Sequence, residues 1–388
     1  MIRIMVVMGT RPEAIKLCPV VARLRSEPSQ FDTRIVATHQ HEQMLDQVLN
    51  VFGVRPDYDL NLMRSNQTLN EVASRLLRRI DPILVKERPN LVLVQGDTVT
   101  ACLAGLASFY RRIPIGHVEA GLRTGDYYSP YPEEMNRRLL GALATLHFAP
   151  TSRAVESLKQ EGVPTDRIHL TGNTVVDALH TILAQTPPLG NLVRFGEHGR
   201  VLLVTAHRRE NFGEPLRGIC RALDVLVERY SDIEVVYPVH PNPTVRETVF
   251  DLLGGKPRIH LIEPLDYPNF IHLMSQSTLI LTDSGGIQEE APCMGKPVLV
   301  LRRKTERPEV LEAGVGELVG TDTTAIVKAA QRLLDDPEQY RGRAQVAYPF
   351  GDGRASERIV KVLHEHFGRD STGIDAHGSS RPTGVEDV

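Results

Sequence analysis

The chain has 388 residues with a formal net charge of −3, 41% hydrophobic residues and four cysteines. That length exceeds one ordinary core and suits two domains of roughly 150 to 200 residues each, and so small a net charge supplies no field for nucleic acid or anionic lipid, so neither partner is expected. Cys18, Cys102, Cys220 and Cys293 form no CxxC pair, which argues against a disulfide framework or zinc cluster, and no apolar run reaches the ~18 residues of a membrane span or forms a signal segment, so a cytoplasmic location is expected.

Residues 2–8 form a near-continuous apolar run, as in strands buried on both faces of a sheet, and give way to Gly9-Thr10-Arg11-Pro12-Glu13 before a helical pattern begins. Pro12 suits the first helical position, whereas Pro19 predicts a kink or an early end. Arg11 and Lys16 fall on this first β-α turn and helix start, where cations could clamp a ligand's phosphates or the opposite domain; the competing reading is solvated surface charge. A second strand is expected at residues 33–38, followed by His39-Gln40-His41-Glu42-Gln43 and an amphipathic helix. The H-x-H spacing lacks a third ligand of matching type nearby, so a polar ligand loop is the better reading than a metal site. Over residues 67–86, Leu69, Val72, Ala73, Leu76, Leu77 and Ile80 recur at helical spacing and predict core packing.

Residues 90–97 and 113–119 read as the next buried strands and deliver Asp97 and Glu119 at their carboxyl ends. A long turn leads to a proline-entered helix with Glu133 and Glu134 in its first turn and Arg137 and Arg138 four residues on. For that pair a salt-bridged helix start competes with catalysis. Asp97, Glu119 and Glu133 nevertheless converge on one sheet edge, where like charges should raise at least one pKa enough to make an acid at neutral pH. Residues 146–150 and 168–171 complete the first set of strands, and residues 186–199 read as an irregular linker.

Strand-helix alternation then resumes at residues 200–211, 233–238 and 259–262, with His207 and His240 just past strand ends. His207 reads either as a structural histidine or as a cation for a diphosphate leaving group. The apolar run before Asp283 stops at Ser284-Gly285-Gly286 and reopens as a helix, a turn whose glycines and N–H groups favour a phosphate, unless Ser284 is simply an N-cap. After the strand at 295–301, Glu306-Arg307-Pro308-Glu309 sets a cation beside the carboxyl ends of two strands, where open α/β sheets bind ligands. The pattern as a whole predicts an α/β chain of two successive halves with parallel sheets. A last amphipathic helix is expected at residues 355–367, and a disordered tail at 369–388.

These motifs, Gly-Thr-Arg-Pro-Glu-Ala-Ile-Lys at 9–16, Gln-Gly-Asp-Thr at 95–98, Gly-His-Val-Glu-Ala-Gly-Leu-Arg-Thr-Gly at 116–125, Pro-Glu-Glu-Met-Asn-Arg at 132–137, Ala-His-Arg-Arg-Glu-Asn at 206–211, Asp-Ser-Gly-Gly-Ile-Gln-Glu-Glu-Ala-Pro at 283–292 and Thr-Glu-Arg-Pro-Glu at 305–309, resemble the non-hydrolysing UDP-N-acetylglucosamine 2-epimerase family over residues 2–367. The resemblance implies two Rossmann-like domains in a glycosyltransferase-B-like arrangement with the active site between them: an N-terminal domain at 1–185, a UDP-binding domain at 186–354, and a helix at 355–367 packing back on the first. It implies no metal and no nicotinamide, UDP-GlcNAc and UDP-ManNAc as ligands, and a homodimer. Asp97, Glu119 and Glu133 match the family's acid/base carboxylates and His207 its catalytic histidine. Ser284, Gly285 and Gly286 match the diphosphate turn, Glu290 the ribose carboxylate, Phe270 an aromatic near the uracil, and Arg11, Lys16 and Arg307 further substrate contacts. Gln40, His41, Gln43, Gln67, Arg208 and His240 match positions that hold a second UDP-GlcNAc in relatives, although Asn66 stands where some relatives carry Arg. The implied reaction is C2 epimerisation by elimination of UDP to 2-acetamidoglucal and readdition, supplying ManNAc-type sugars for bacterial surface polysaccharides. The alternatives are a hydrolysing epimerase, a retaining UDP-sugar transferase and a non-catalytic nucleotide-sugar sensor.

Overall fold

A computed structural model describes residues 1–38, 42–64, 67–185 and 199–370. The first half comprises β1 (Ile2–Met8), α1 (Arg11–Arg25), β2 (Phe31–Ala37), α2 (Glu42–Val51), β3 (Tyr58–Asp59), α3 (Leu69–Glu87), β4 (Leu91–Gln95), α4 (Val99–Tyr110), β5 (Ile115–Val118), α5 (Glu133–Leu143), β6 (Leu146–Ala149), α6 (Ser152–Gln160), β7 (Ile168–Leu170) and α7 (Thr174–Gln185). The second comprises β8 (Arg200–Thr205), α8 (Glu214–Arg229), β9 (Ile233–Pro238), α9 (Pro243–Leu253), β10 (Ile259–Ile262), α10 (Tyr267–Gln276), β11 (Leu279–Thr282), α11 (Gly285–Glu290), β12 (Val298–Val300), α12 (Pro308–Glu312), β13 (Gly316–Leu318), α13 (Thr323–Asp335), α14 (Pro337–Arg343) and α15 (Ala355–Asp370).

Every paired strand is parallel. The first sheet runs β3-β2-β1-β4-β5-β6-β7 and the second β10-β9-β8-β11-β12-β13. In each, the strand order reverses beside the first strand, β1 against β4 and β8 against β11, which opens a crevice at the carboxyl ends. Parallel pairing with helices on both faces explains why β1, β4 and β8 are almost wholly apolar. One apolar cluster joins the halves, running from Val6 and Leu93 through Val176 and Ile182 of α7 to Ile271, Ile280 and Val300. The last helix returns to the first half, packing α15 on α1 and α7 with Ile359, Val360 and Leu363 buried.

One local expectation changes. Helix α1 passes through Pro19 without ending and runs to Arg25, because its buried face, including Leu17, Val20, Val21 and Leu24, is held in the core. The short edge strands β3 and β13 carry too few residues for a period-2 pattern to be legible. Most of the expected linker, residues 186–198, and the tail from 371 onward lie outside the described residues, as do His39, Gln40 and His41.

The return of α15 depends on a cap supplied from elsewhere: Asp177 of α7 accepts from the Ala355 N–H at 3.1 Å and from the Ser356 N–H at 2.8 Å. Asp177→Ala strands both donors and is expected to lower stability by about 1–2 kcal/mol. A urea midpoint equal to that of the unsubstituted protein would count against this account.

Candidate active site

The carboxyl ends of the two sheets face each other across a cleft of about 560 Å³, lined from one side by Arg11, Lys16, Asp97, Glu119 and Glu133 and from the other by His207, Arg208, His240, Phe270, Ser284, Gly285, Gly286, Glu290 and Arg307. All the residues singled out for catalysis and substrate contact therefore meet in one place.

Glu119 sits at the base of this cleft with φ +64°, a left-handed backbone conformation uncommon for a residue with a Cβ. Its Oε1 lies 2.5 Å from Lys16 Nζ, 3.0 Å from Asn173 Nδ2 and 3.7 Å from Arg307 Nη2, and Gln95 donates to its Oε2. Glu289 of the second half closes the cluster, 3.2 Å from Lys16 Nζ and 2.8 Å from Arg307 Nε. Burial opposes ionisation of Glu119, but Lys16 and Arg307 outweigh it and hold the carboxyl well below the usual range. Like-charge repulsion thus does not make Glu119 the acid of the trio, because two cations neutralise it. Lys16 is buried between Glu119 of its own half and Glu289 of the opposite half, so it is not a solvated surface charge.

The raised carboxyl is Glu133, half-buried at the start of α5, where burial and, less strongly, Asp97 favour its neutral form. The helix spacing predicts a Glu133–Arg137 pair, and the structure breaks that prediction. Arg137 turns instead to Asp97, with Nη2 2.6 Å from Oδ2, and to Glu134 at 3.2 Å. Glu134 is fully buried and also accepts from the Thr124 N–H at 3.0 Å, so it belongs to the loop's framework.

On the facing side Asp283 organises the wall. Its Oδ2 accepts from the N–H groups of His207 and Arg208, both at 2.8 Å, and from Asn211 Nδ2 at 2.9 Å. The His207 ring stacks on His240 with centroids 5.0 Å apart. Burial lowers the pKa of both imidazoles, and the Asp283 carboxylate opposes that shift. The Ser284 side chain makes no capping hydrogen bond. A Cβ on Gly285 would stand 3.4 Å from Arg307 Cζ, whereas one on Gly286 would meet nothing within 4 Å. A side chain at the first would make ordinary van der Waals contact with the guanidinium, whereas the second leaves room in the cleft. Glu290 is buried and accepts from the Tyr267 hydroxyl at 2.7 Å; burial lifts its pKa to about 7.

Among the residues assigned to a second ligand, Arg208 and His240 reach the cleft. Gln67 is engaged instead by Arg75, whose Nη1 lies 2.9 Å from its Oε1. Gln40, His41 and Asn66, with the side chain of Gln43, lie outside the described residues. Among the described residues no cluster of three or more His, Cys, Asp or Glu is arranged to hold a metal ion, and no helix is long and apolar enough to cross a membrane.

Residues 22–364 match the sequence family described as UDP-N-acetylglucosamine 2-epimerase. The chain is 50% identical over 367 residues to the UDP-N-acetylglucosamine 2-epimerase of Bacillus subtilis, covering 95% of this chain and 96% of that one. It is 48% identical over 377 residues to the Salmonella typhimurium enzyme of the same name, covering 94% and 99%. The chain belongs to the UDP-N-acetylglucosamine 2-epimerase family. Among solved structures, the Neisseria meningitidis UDP-GlcNAc 2-epimerase bound to UDP-GlcNAc superposes with a TM-score of 0.89 at 44% identity, over 94% of this chain and all of that one. The Methanocaldococcus jannaschii UDP-GlcNAc 2-epimerase in complex with UDP-GlcNAc and UDP gives 0.80 at 34% identity, over 94% and 100%.

Several residues of this epimerase cleft carried no individual sequence signal. Glu289 stood beside Glu290 in a quoted motif, yet nothing in the sequence said which of the two would turn toward Lys16. Glu13 is buried, accepts from the Gly9 N–H at 3.0 Å and from Thr98 at 2.7 Å, and ties the Arg11 loop to the Asp97 loop.

A carboxyl raised on folding holds its proton more tightly in the folded state, so the stability Glu290 contributes is lost as pH rises from the ordinary carboxylate range through about 7. Glu290→Gln is expected to flatten that slope, by at most about 3 kcal/mol for a shift of this size. Urea midpoints compared at about pH 5 and about pH 8 measure it, and an unchanged pH dependence in the variant would contradict the assignment.

Proposed function

We propose that this cleft binds UDP-N-acetylglucosamine and inverts its C2, giving UDP-N-acetylmannosamine. The observation that carries the reading is the confrontation of Asp97, Glu119 and Glu133 with the His207, Ser284–Gly286 and Arg307 wall across one cleft, in a chain similar over nearly its whole length to an epimerase solved with UDP-GlcNAc. The carboxylates work at the sugar. One takes the C2 proton; the C–H electron pair becomes a C1=C2 double bond as the anomeric C–O bond breaks and UDP leaves. UDP then re-adds at C1 while a carboxylic acid protonates C2 from the other face, and exchange with solvent resets the protons. Each positioned acid or base contributes about 10²- to 10⁴-fold.

The second half serves the leaving group. The Ser284–Gly286 turn and His207 receive the diphosphate, whose arrival favours protonation of the imidazole; Glu290 receives the ribose hydroxyls, Phe270 the uracil, and Arg11, Lys16 and Arg307 supply cations around them. Preorganised donors to such developing charge are each worth about 2.7–4 kcal/mol. Incubation with UDP-GlcNAc alone in heavy water, followed by NMR, is expected to yield UDP-ManNAc and to place deuterium at C2 of both epimers. Free sugar would instead indicate hydrolysis, and no product without an added acceptor would indicate transfer or mere sensing.

The protein is further proposed to act as a homodimer. The adjacent helices α3, α4 and α5 expose Val85, Phe109, Tyr110 and Leu139, apolar side chains that association with a second copy would remove from water. Sedimentation velocity should find a dimer that Phe109→Glu with Leu139→Glu converts to monomer. A monomer before substitution, or a dimer insensitive to it, would count against this face.

A further inference from the structure

Arg137 is buried, and its place is not explained by the helix that carries it. Helical spacing directs it to Glu133, yet its guanidinium crosses to the loop after β4, where Nε lies 2.9 Å and Nη2 2.6 Å from Asp97 Oδ2. The preceding residue joins the grip: Asn136 Nδ2 donates to the Asp97 carbonyl oxygen at 2.8 Å. Glu134 steadies the guanidinium from its other side, 3.2 Å from Nη1. One stretch of α5 thus fixes Asp97 by both main chain and side chain, while Asp97 Oδ1 takes no hydrogen bond from any described residue.

The other cations around this corner are committed elsewhere. Arg138 faces Glu134 and Glu161, at 3.6 and 3.3 Å. Arg208, reaching in from the opposite half, is held by the Asp283 carbonyl at 3.2 Å and by Glu306 at 3.7 Å. Arg307 is held by Glu289 and Glu119. His117, beneath the same loop, is neutral and bonded to the Gly96 carbonyl at 2.7 Å. Asp97 therefore has a cation of its own, and Glu133, on the same helix as that cation, makes no ion pair among the described residues.

We infer that Arg137 is a positioning residue for the epimerisation: it anchors Asp97 by one carboxylate oxygen so that the other is aimed into the cleft, leaving Glu133 on the same helix without an ion pair among the described residues. The inference rests on the reading that these carboxyls act at C2. A reaction that removes a proton from one face and returns one to the other needs one carboxylate and one carboxylic acid at the same moment. Base and acid are different tasks, and each demands that its carboxyl be held at a fixed place against C2. The pKa of Glu133, raised in the same corner by burial and by Asp97, fits that division.

The experiment uses the full chain with Arg137→Ala and Arg137→Lys, measuring kcat, KM, UDP affinity by calorimetry and C2 proton exchange in heavy water, each with and without added guanidinium. Arg137→Ala is expected to lose about 10²- to 10³-fold in kcat and in exchange, the scale of one misplaced acid-base group, with UDP affinity unchanged. Added guanidinium should restore a substantial part of the rate, and Arg137→Lys, which keeps charge without the fork, should fall between. A kcat close to that of the unsubstituted enzyme overturns the inference. So does a loss of rate matched by a loss of UDP affinity and untouched by guanidinium, which is the pattern of a collapsed helix. If Arg137→Ala does not fold, Arg137→Lys decides by the same criteria: a lowered kcat at intact UDP affinity supports the role and an unchanged kcat ends it. An unsubstituted protein that exchanges no C2 proton overturns the underlying reading and this inference with it, whereas active enzyme beside an unimpaired variant overturns this inference alone.

Discussion

The cleft depends on a buried knot of four charges, Lys16 and Glu119 from the first half with Glu289 and Arg307 from the second. Removing any one of them from water alone would cost several kcal/mol, and their mutual attraction offsets that cost only because the set is formally neutral and closely spaced. Geometry and charge are therefore inseparable here. The knot ties the two sheets at the point where their loops meet, and it holds Glu119 ionised in a site that burial alone would have protonated.

Around that fixed point the remaining titratable groups are graded by what each has for a partner. Asp97 has a guanidinium, Glu133 makes no ion pair among the described residues, and Glu290 has a tyrosine hydroxyl. The imidazoles of His207 and His240 have each other and a shared carboxylate behind them. Burial raises the pKa of both Glu133 and Glu290. Glycine works on the same wall by subtraction: Gly286 leaves a space that a side chain would fill.

The sequence made the fold legible wherever burial on two faces forced an unbroken apolar run, as at β1, β4 and β8, and the carboxyl-end rule then brought Asp97, Glu119, His207 and Ser284 to one cleft before any coordinates were known. What it did not make legible was the choice of partner. Spacing on α5 sends Arg137 to Glu133, but Asp97 lies across the turn and Glu134 lies beneath, and tertiary proximity outcompetes an exposed i,i+4 pair worth only a few tenths of a kcal/mol. Pro19 misled for a related reason, since the packing of α1 outweighs the local cost of a missing N–H donor. The Glu-Glu pair at 289 and 290 shows the same limit, because adjacent helix positions point apart and only the fold determines which of them meets the opposite half.

The return of α15 has a consequence for how the protein is made. Ile359, Val360 and Leu363 cover apolar surface of α1 and α7, and α1 is synthesised well before them. A ribosome delivers that cover only after both sheets have been translated. Until then the nascent first half carries an uncovered apolar strip and an Asp177 without the helix it caps. The usual N-terminal-first order of domain maturation is consequently interrupted. An earlier part of the polypeptide waits for a later helix, and a message truncated before α15 leaves the first half open to chaperones and proteases, even with every residue of the cleft already translated.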